Sequence, residues 1–423
     1  MNTPGQRWDP RAVTIAAAVF ALVYVGLDLN KLAALRYGAD TGTFVQFLVG
    51  EAHGAGSWNG AELRPHLQVH DSWILLALVP LMAVFPYTQT LLIVQVLAVA
   101  AAGPLVALFA RACGAAARGA NAVGIATLLS PSMQGLAYGN FLENVFVPVI
   151  AAGGAIAVRT RRLLPALACA QLLLGIKEDQ ALFLLWLGVA CALWWDRRLG
   201  LGIAALALLN GLGFVALERL AHAQPSLPAY GLHVDDPLAK LAFFAALLAP
   251  FAFAPLWLGA RLLLALPLVA ELTLNGPWAY PIARIGTHWA APLAIATALG
   301  AAVVVAARPR WATAVLVCAV LCALTINDTV LKLGRWPYVV DRTAYAAALR
   351  LRDSGAAAEI PRHAEGVYAV AAPNRRITLA PYVRGEAGYC PAYDTNARAF
   401  LASIGLGAWP RGVRLCAGVP LPG

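Results

Sequence analysis

The chain has 423 residues, of which 61% are hydrophobic and only 12% charged, and it carries a formal net charge of +10. An ordinary soluble domain carries about 25% charged residues, so this composition excludes a soluble enzyme, a disordered chain and a fibrous protein. What remains is an all-α polytopic membrane protein, and its basic residues are tested first as topology signals rather than as a nucleic-acid surface.

Eleven apolar stretches read as transmembrane helices: residues 12–28, 90–111, 119–138, 144–158, 163–176, 180–195, 199–220, 239–258, 262–275, 288–307 and 311–330. Several fall short of the roughly 20 residues that cross about 30 Å of hydrocarbon, so their ends are expected to extend into the connections. The first has basic residues before it and no small-residue cleavage site after it, which marks an uncleaved anchor. Residues 72–85 are also apolar, but they number 14 and contain Pro80, which suits an interfacial helix within the first outer loop.

Charge tests that choice. With 72–85 left out and the N-terminus inside, Arg7, Arg11, Arg111, Arg118, Arg159, Arg161, Arg162, Arg197, Arg198, Arg261, Arg308 and Arg310 face the cytoplasm. That is 12 of the 19 Lys and Arg in residues 1–330, against only Asp9 and Asp196 of the 15 Asp and Glu. Counting 72–85 as a span would reverse the arginine clusters. The positive-inside bias therefore predicts eleven spans with the N-terminus in and the C-terminus out. The expected organisation is a transmembrane domain over 1–330, with a first outer loop at 29–89, and a small extracytoplasmic α/β domain over 331–423. Cys390 and Cys416 both lie in that last segment, on the oxidising face, and are candidates for a disulfide. The other five cysteines sit in or beside apolar runs, and no C-x-x-C or zinc spacing occurs.

The polar residues collect on the outward side. Asp40 stands between Gly38 and Gly42 in the first outer loop. An aspartate there serves as a general base toward a hydroxyl or as the N-cap of a juxtamembrane helix. His66 and His70 follow at i, i+4 spacing, but Leu67 stands where a metalloprotease motif needs Glu. That leaves them as solvated or phosphate-contacting groups. Glu143 lies at the mouth of a helix N-terminus, where the dipole favours a carboxylate. Lys177-Glu178-Asp179 interrupts the apolar-rich run 163–195 at an outward turn, either as a helix cap or with the lysine holding a phosphate as a point charge. Arg284 and His288 pair a cation with a titratable ring beside Tyr280 and Trp289, which suit an aromatic belt.

In chain order these motifs are D-x-G-x-F-x-Q (Asp40 to Gln46), H-x-S (His70 to Ser72), L-S-P-x-x-Q (Leu129 to Gln134), F-x-E ending at Glu143, K-E-D (Lys177 to Asp179) and H-W-A from His288. Together they resemble a bacterial family of predicted membrane proteins of unknown function. That family is similar to the GT-C glycosyltransferases, which include protein O-mannosyltransferases and aminoarabinose transferases. The resemblance spans about residues 12–420. It implies transfer of a sugar from a polyprenyl-phosphate donor on the outer face of the bacterial inner membrane, with lipid and lipid-linked sugar as partners and no nucleic acid. Asp40 then takes the place of the catalytic acid, and 72–85 that of the juxtamembrane helix. Lys177, Arg284, His288 and His70 are implied to hold the donor phosphate. Glu143, Glu178, Asp179 and Gln46 are implied to support them or to orient the acceptor. Two positions depart from the family pattern: Val45 replaces a second acidic residue, and Phe141-Leu142-Glu143-Asn144 replaces an F-H-P-E turn. No metal is required by these residues, and none is ruled out. A flippase or transporter of lipid-linked glycan is the competing expectation, and it predicts inverted repeats and midplane polar groups. A non-catalytic membrane protein is the other.

Overall fold

Within hydrocarbon only a helix satisfies every backbone N–H and C=O inside its own segment, so Ala- and Leu-rich runs of this length are committed to helices. The computed structural model describes residues 8–220, 237–274, 288–326 and 338–380, and among these residues it contains sixteen α-helices. Five helical stretches are long and apolar enough to cross a membrane: Arg11–Ala33, Thr88–Ala112, Arg197–Leu217, Ala254–Thr273 and His288–Ala307. Others, such as Leu163–Leu174, Gln180–Trp194 and Trp311–Thr325, are apolar but shorter.

Along the chain, α1 (Arg11–Ala33) leads to the first loop. There α2 (Ala39–Ala52) is followed by a hairpin of β1 (Trp58–Asn59) and β2 (Arg64–Pro65), then by a 3-10 stretch Trp73–Leu78 that runs into α3 (Val79–Val84). The bundle continues with α4 (Thr88–Ala112), α5 (Ala117–Leu129), α6 (Pro131–Tyr138), α7 (Val147–Arg159), α8 (Leu163–Leu174), α9 (Gln180–Trp194) and α10 (Arg197–Leu220). After it come α11 (Pro237–Leu248), α12 (Leu266–Leu274), α13 (Ala291–Ala307) and α14 (Trp311–Thr325). Small residues let these helices touch backbone to backbone, as expected where apolar packing alone gives little preference between protein and lipid. A Cβ on Gly188 of α9 would lie 2.6 Å from the Ala204 nitrogen of α10, and one on Gly200 would lie 2.1 Å from the Ala192 nitrogen.

The expected span 119–138 is divided into α5 and α6. Pro131 has no N–H to continue the ladder, and Ser130 Oγ starts the new helix by accepting from the Met133 amide at 3.4 Å. The boundary placed between 258 and 262 falls earlier. Ala252 and Phe253 both adopt left-handed φ (53° and 58°) between Pro250 and Pro255, and this reverses the chain. A 3-10 stretch Ala254–Ala265, kinked at Gly259, then joins α12.

The bundle has two unlike ends. At one, Trp8 at the start of α1 donates to Asn121 of α5 (2.9 Å), Arg159 and Arg161 lie over Trp195 (5.3 and 5.5 Å), and Arg308 lies over Trp257 (4.6 Å). At the other, Lys31 near the end of α1 donates to the Tyr138 carbonyl at the end of α6 (2.7 Å).

Residues 338–380 add α15 (Arg342–Ser354), β3 (Ala358–Ile360), α16 (Glu365–Ala371) and β4 (Ile377–Leu379), with β3 and β4 parallel. This unit is seated on the first loop. Gln46 of α2 donates to the Ile377 carbonyl (2.9 Å), and its own oxygen accepts from the Gly60 amide (2.5 Å) and the Tyr368 hydroxyl (2.9 Å). The Leu379 amide donates to the Gly60 carbonyl (2.9 Å). Arg284, Cys390 and Cys416 lie outside the described residues, so the disulfide and the Arg284 role stay expectations.

Candidate functional site

The site begins at the N-terminus of α2. Its N-cap, Gly38, has no side chain to satisfy the first helical amides. Remote residues do so: Asn140 Oδ1 accepts from the Gly38 N–H (3.0 Å), and Glu365 Oε2 accepts from the Ala39 N–H (3.1 Å). Asp40 therefore does not serve as the N-cap. It stands in the first turn, reaches solvent, and accepts from Asn140 Nδ2 at 3.1 Å. Protein packed around it removes enough water to raise its carboxyl above the usual carboxylate range. The Asn140 hydrogen bond and the charges of Arg362 and Lys177 oppose that rise, and Glu62 adds to it.

The K-E-D turn between α8 and α9 is stitched to the first loop by four contacts. The Ile74 amide donates to the Gly175 carbonyl (2.9 Å) and Ser72 Oγ to the Ile176 carbonyl (3.0 Å). His70 Nδ1 donates to Glu178 Oε1 (3.1 Å), and the Asp71 amide to Glu178 Oε2 (3.3 Å). Burial pulls the His70 pKa down, but the Glu178 hydrogen bond and charge outweigh it and leave it raised. Glu178 is lowered, because His70 overcomes the burial cost. Asp71, beside them, is pushed up to about 6 by burial and by the Glu178 charge.

Lys177 is almost fully buried, with its ammonium over the Trp289 ring at 4.6 Å. Burial alone would favour the neutral amine. The carboxylates of Glu143, Asp179, Glu178 and Glu271 reverse that and hold its pKa above the ordinary lysine value. Glu143 is 2% exposed, and one of its oxygens has no hydrogen-bond partner. Next to it Asn144 donates to the His288 carbonyl (3.2 Å), which ties the 3-10 turn Glu143–Phe146 to the entry of α13. The His288 ring lies 4.7 Å from that of Trp289.

Beside Lys177 lies a small cleft, with room for little more than a water molecule, lined by Asn144, Asp179, Glu271 and Trp289 with apolar residues of α12 and α13. The Asp179 and Glu271 carboxyls meet there. The buried Asn144 Oδ1 has no partner, because the donor end of the amide is used by His288. The lining therefore holds two carboxyls that share a hydrogen bond and one free amide oxygen, and a group that meets Asn144 Oδ1 must bring a donor.

Of the residues singled out in the sequence, Asp40, His70, Glu143, Lys177, Glu178, Asp179 and His288 share this end of the molecule. Gln46 is a correction: its amide is filled by the chain itself and clamps β4, so nothing is left for an acceptor. His66 is another. It is 1% exposed rather than solvated, bonded to Glu62 at 3.0 Å and packed against Phe44 and Phe47. Glu62, Asn140, Glu271, Arg362 and Glu365 were not singled out. Only Glu62 left a local trace, four residues ahead of His66. Among the described residues no three His, Cys, Asp or Glu side chains are grouped as metal ligands.

Residues 31–229 match the model of a family described as predicted membrane protein (DUF2079). No curated protein matches the chain. Among solved structures, the crystal structure of ArnT from Cupriavidus metallidurans bound to undecaprenyl phosphate is similar. Its TM-score is 0.51 at 14% identity, covering 86% of this chain and 75% of that one. At this identity the likeness establishes the fold alone.

Proposed function

We propose that this protein is a multi-pass glycosyltransferase that moves a sugar from a polyprenyl-phosphate donor to an acceptor hydroxyl at the outer face of the bacterial inner membrane. One observation carries the reading. Side chains from residues 40, 62, 70, 143, 177–179 and 362 act on one another at the end of the bundle opposite the arginine–tryptophan end. The positive-inside rule puts the arginine end in the cytoplasm, which is consistent with the N-terminus inside and the Asp40 end outside. The ArnT crystal structure holds undecaprenyl phosphate, which supports a polyprenyl phosphate as the lipid partner.

The chemistry follows from the charges. The sugar–phosphate C–O bond breaks, a bond from the acceptor oxygen to the sugar carbon forms, and the acceptor proton passes to Asp40. A carboxylate made more basic by its surroundings suits that step, which is worth about 10²–10⁴ in rate. Lys177, held cationic, and His70 stabilise the departing phosphate. Asn144, Asp179 and Glu271 offer polar partners to sugar hydroxyls, and Trp289 offers an apolar face.

The test uses purified protein in nanodiscs with a panel of undecaprenyl-phosphate hexoses and pentoses, following release of undecaprenyl phosphate. Asp40→Asn is expected to slow release at least about 100-fold with the fold intact, and an undiminished rate removes Asp40 from the mechanism. In the same nanodiscs, Lys177→Ala is expected to weaken undecaprenyl phosphate binding roughly tenfold, the loss of one charge-assisted contact. Unchanged affinity assigns the phosphate elsewhere.

A further inference from the structure

We propose that the C-terminal segment is built into the Asp40 site, with Glu365 and Arg362 as positioning residues that fix the start of α2 and the charge facing Asp40. Its catalytic meaning rests on the function proposed above, whereas its geometry does not.

Three contacts carry it. Glu365 Oε2 accepts the Ala39 N–H at 3.1 Å from 326 positions away, doing for α2 what an N-cap side chain does for other helices. The same carboxylate is held by Arg362, whose Nη1 lies 3.5 Å from Glu365 Oε1. Behind them α16 is pressed onto the chain entering α2 so closely that a Cβ on Gly366 would stand 1.8 Å from the Leu35 carbonyl oxygen. Backbone against backbone leaves α16 no freedom to shift relative to Asp40. An appendage that only delivers an acceptor needs no such contact with the helix that carries the base.

Groups from four parts of the chain act on the Asp40 carboxyl. They are Asn140 after α6, Glu62 between β1 and β2, Lys177 in the α8–α9 turn, and Arg362 ahead of α16. Arg362 is the cation supplied by the C-terminal segment. Its Nη1 pairs with Glu365, and its Nε is buried without a hydrogen-bond partner. Removing it leaves Asp40 facing Glu62 with less compensation.

The experiment needs neither sugar nor turnover, so its failure is distinct from failure of the transferase reading. Full-length protein in nanodiscs is esterified with a diazo reagent, which modifies protonated carboxyls, and Asp40 modification is followed by mass spectrometry against pH. Arg362→Gln is expected to raise the Asp40 midpoint by about half a pH unit or more, and Arg362→Lys to restore it. A merely structural role would not make the midpoint follow the charge. Separately, Glu365→Ala is expected to speed hydrogen exchange in the first turn of α2 several-fold, with Glu365→Gln, which keeps an acceptor, close to wild type. An unmoved midpoint in Arg362→Gln overturns the proposal. So does unchanged exchange in Glu365→Ala, which stands by itself should Arg362→Gln not be recovered folded.

Discussion

The helix bundle and the layer formed by the first loop and the C-terminal segment draw on different balances of contact. In the bundle, α9 and α10 pack backbone to backbone at Gly188 and Gly200, threonine hydroxyls bond back to their own helix, as Thr127 does to Val123 (2.8 Å), and remote bonds such as Tyr24 to Gln134 (2.7 Å) are set among this packing. In the layer, the contacts are directional and remote in sequence. Thr88 Oγ1 donates to the Ala369 carbonyl (2.6 Å), Ser72 to Ile176, Gln46 to Ile377, and Glu365 accepts from Ala39. Close packing fixes distance, whereas a hydrogen bond also fixes an angle. A site that must hold a carboxylate against a cation gains its geometry from the second kind of contact. Here it lies where the layer meets the bundle.

The sharpest way to break that comparison is Gly366→Ala. The added Cβ would lie 1.8 Å from the Leu35 carbonyl, and backbone cannot yield as a side-chain tip can. The expected result is detachment of α16 from α1 and α2, read as hydrogen exchange rising at least tenfold over residues 342–379 while α4 and α5 keep their protection. If the two regions lose protection together, they are one cooperative unit and the distinction drawn here is wrong.

How much of this was legible in the sequence follows the same division. Helices and the shortness of 72–85 are local properties of composition and length, and the stretch Trp73–Val84 is indeed a short apolar helix. Asp40 and the K-E-D turn were legible because charge inside an apolar chain is conspicuous. Glu365 was not, because its partner is the amide of Ala39, and a bond to a distant backbone leaves no signature at either position. Gln46 misled for the opposite reason: its place in an ordered motif suggested chemistry, while its amide serves as a structural clamp between α2 and β4. Glu271 was passed over inside an apolar run, where only the fold reveals that Asp179 waits opposite.

The smallest effect sharpens the seam itself. His70 and Glu178 tie the first loop to the K-E-D turn, and their titration signs are opposed. The His70 pKa is raised above 6.5, so its contribution is complete below 6.5 and is lost as pH climbs through the raised value. The Glu178 pKa is lowered below 4.5, so its contribution is complete above 4.5 and is lost as pH falls through the lowered value. The pair therefore acts fully between pH 4.5 and 6.5. Above about 6 the Asp71 carboxylate also repels Glu178, which cuts the net gain further. Lys177 disfavours the charged His70 and Glu143 favours it, so both must be left intact in the comparison. Glu178→Gln is expected to lower the melting temperature by a few degrees at most near pH 5.5, and by progressively less toward pH 8. A difference that stays flat across this range would mean that no ion pair contributes, leaving the hydrogen bonds of Ser72, Ile74 and the Asp71 amide to hold the loop against the turn.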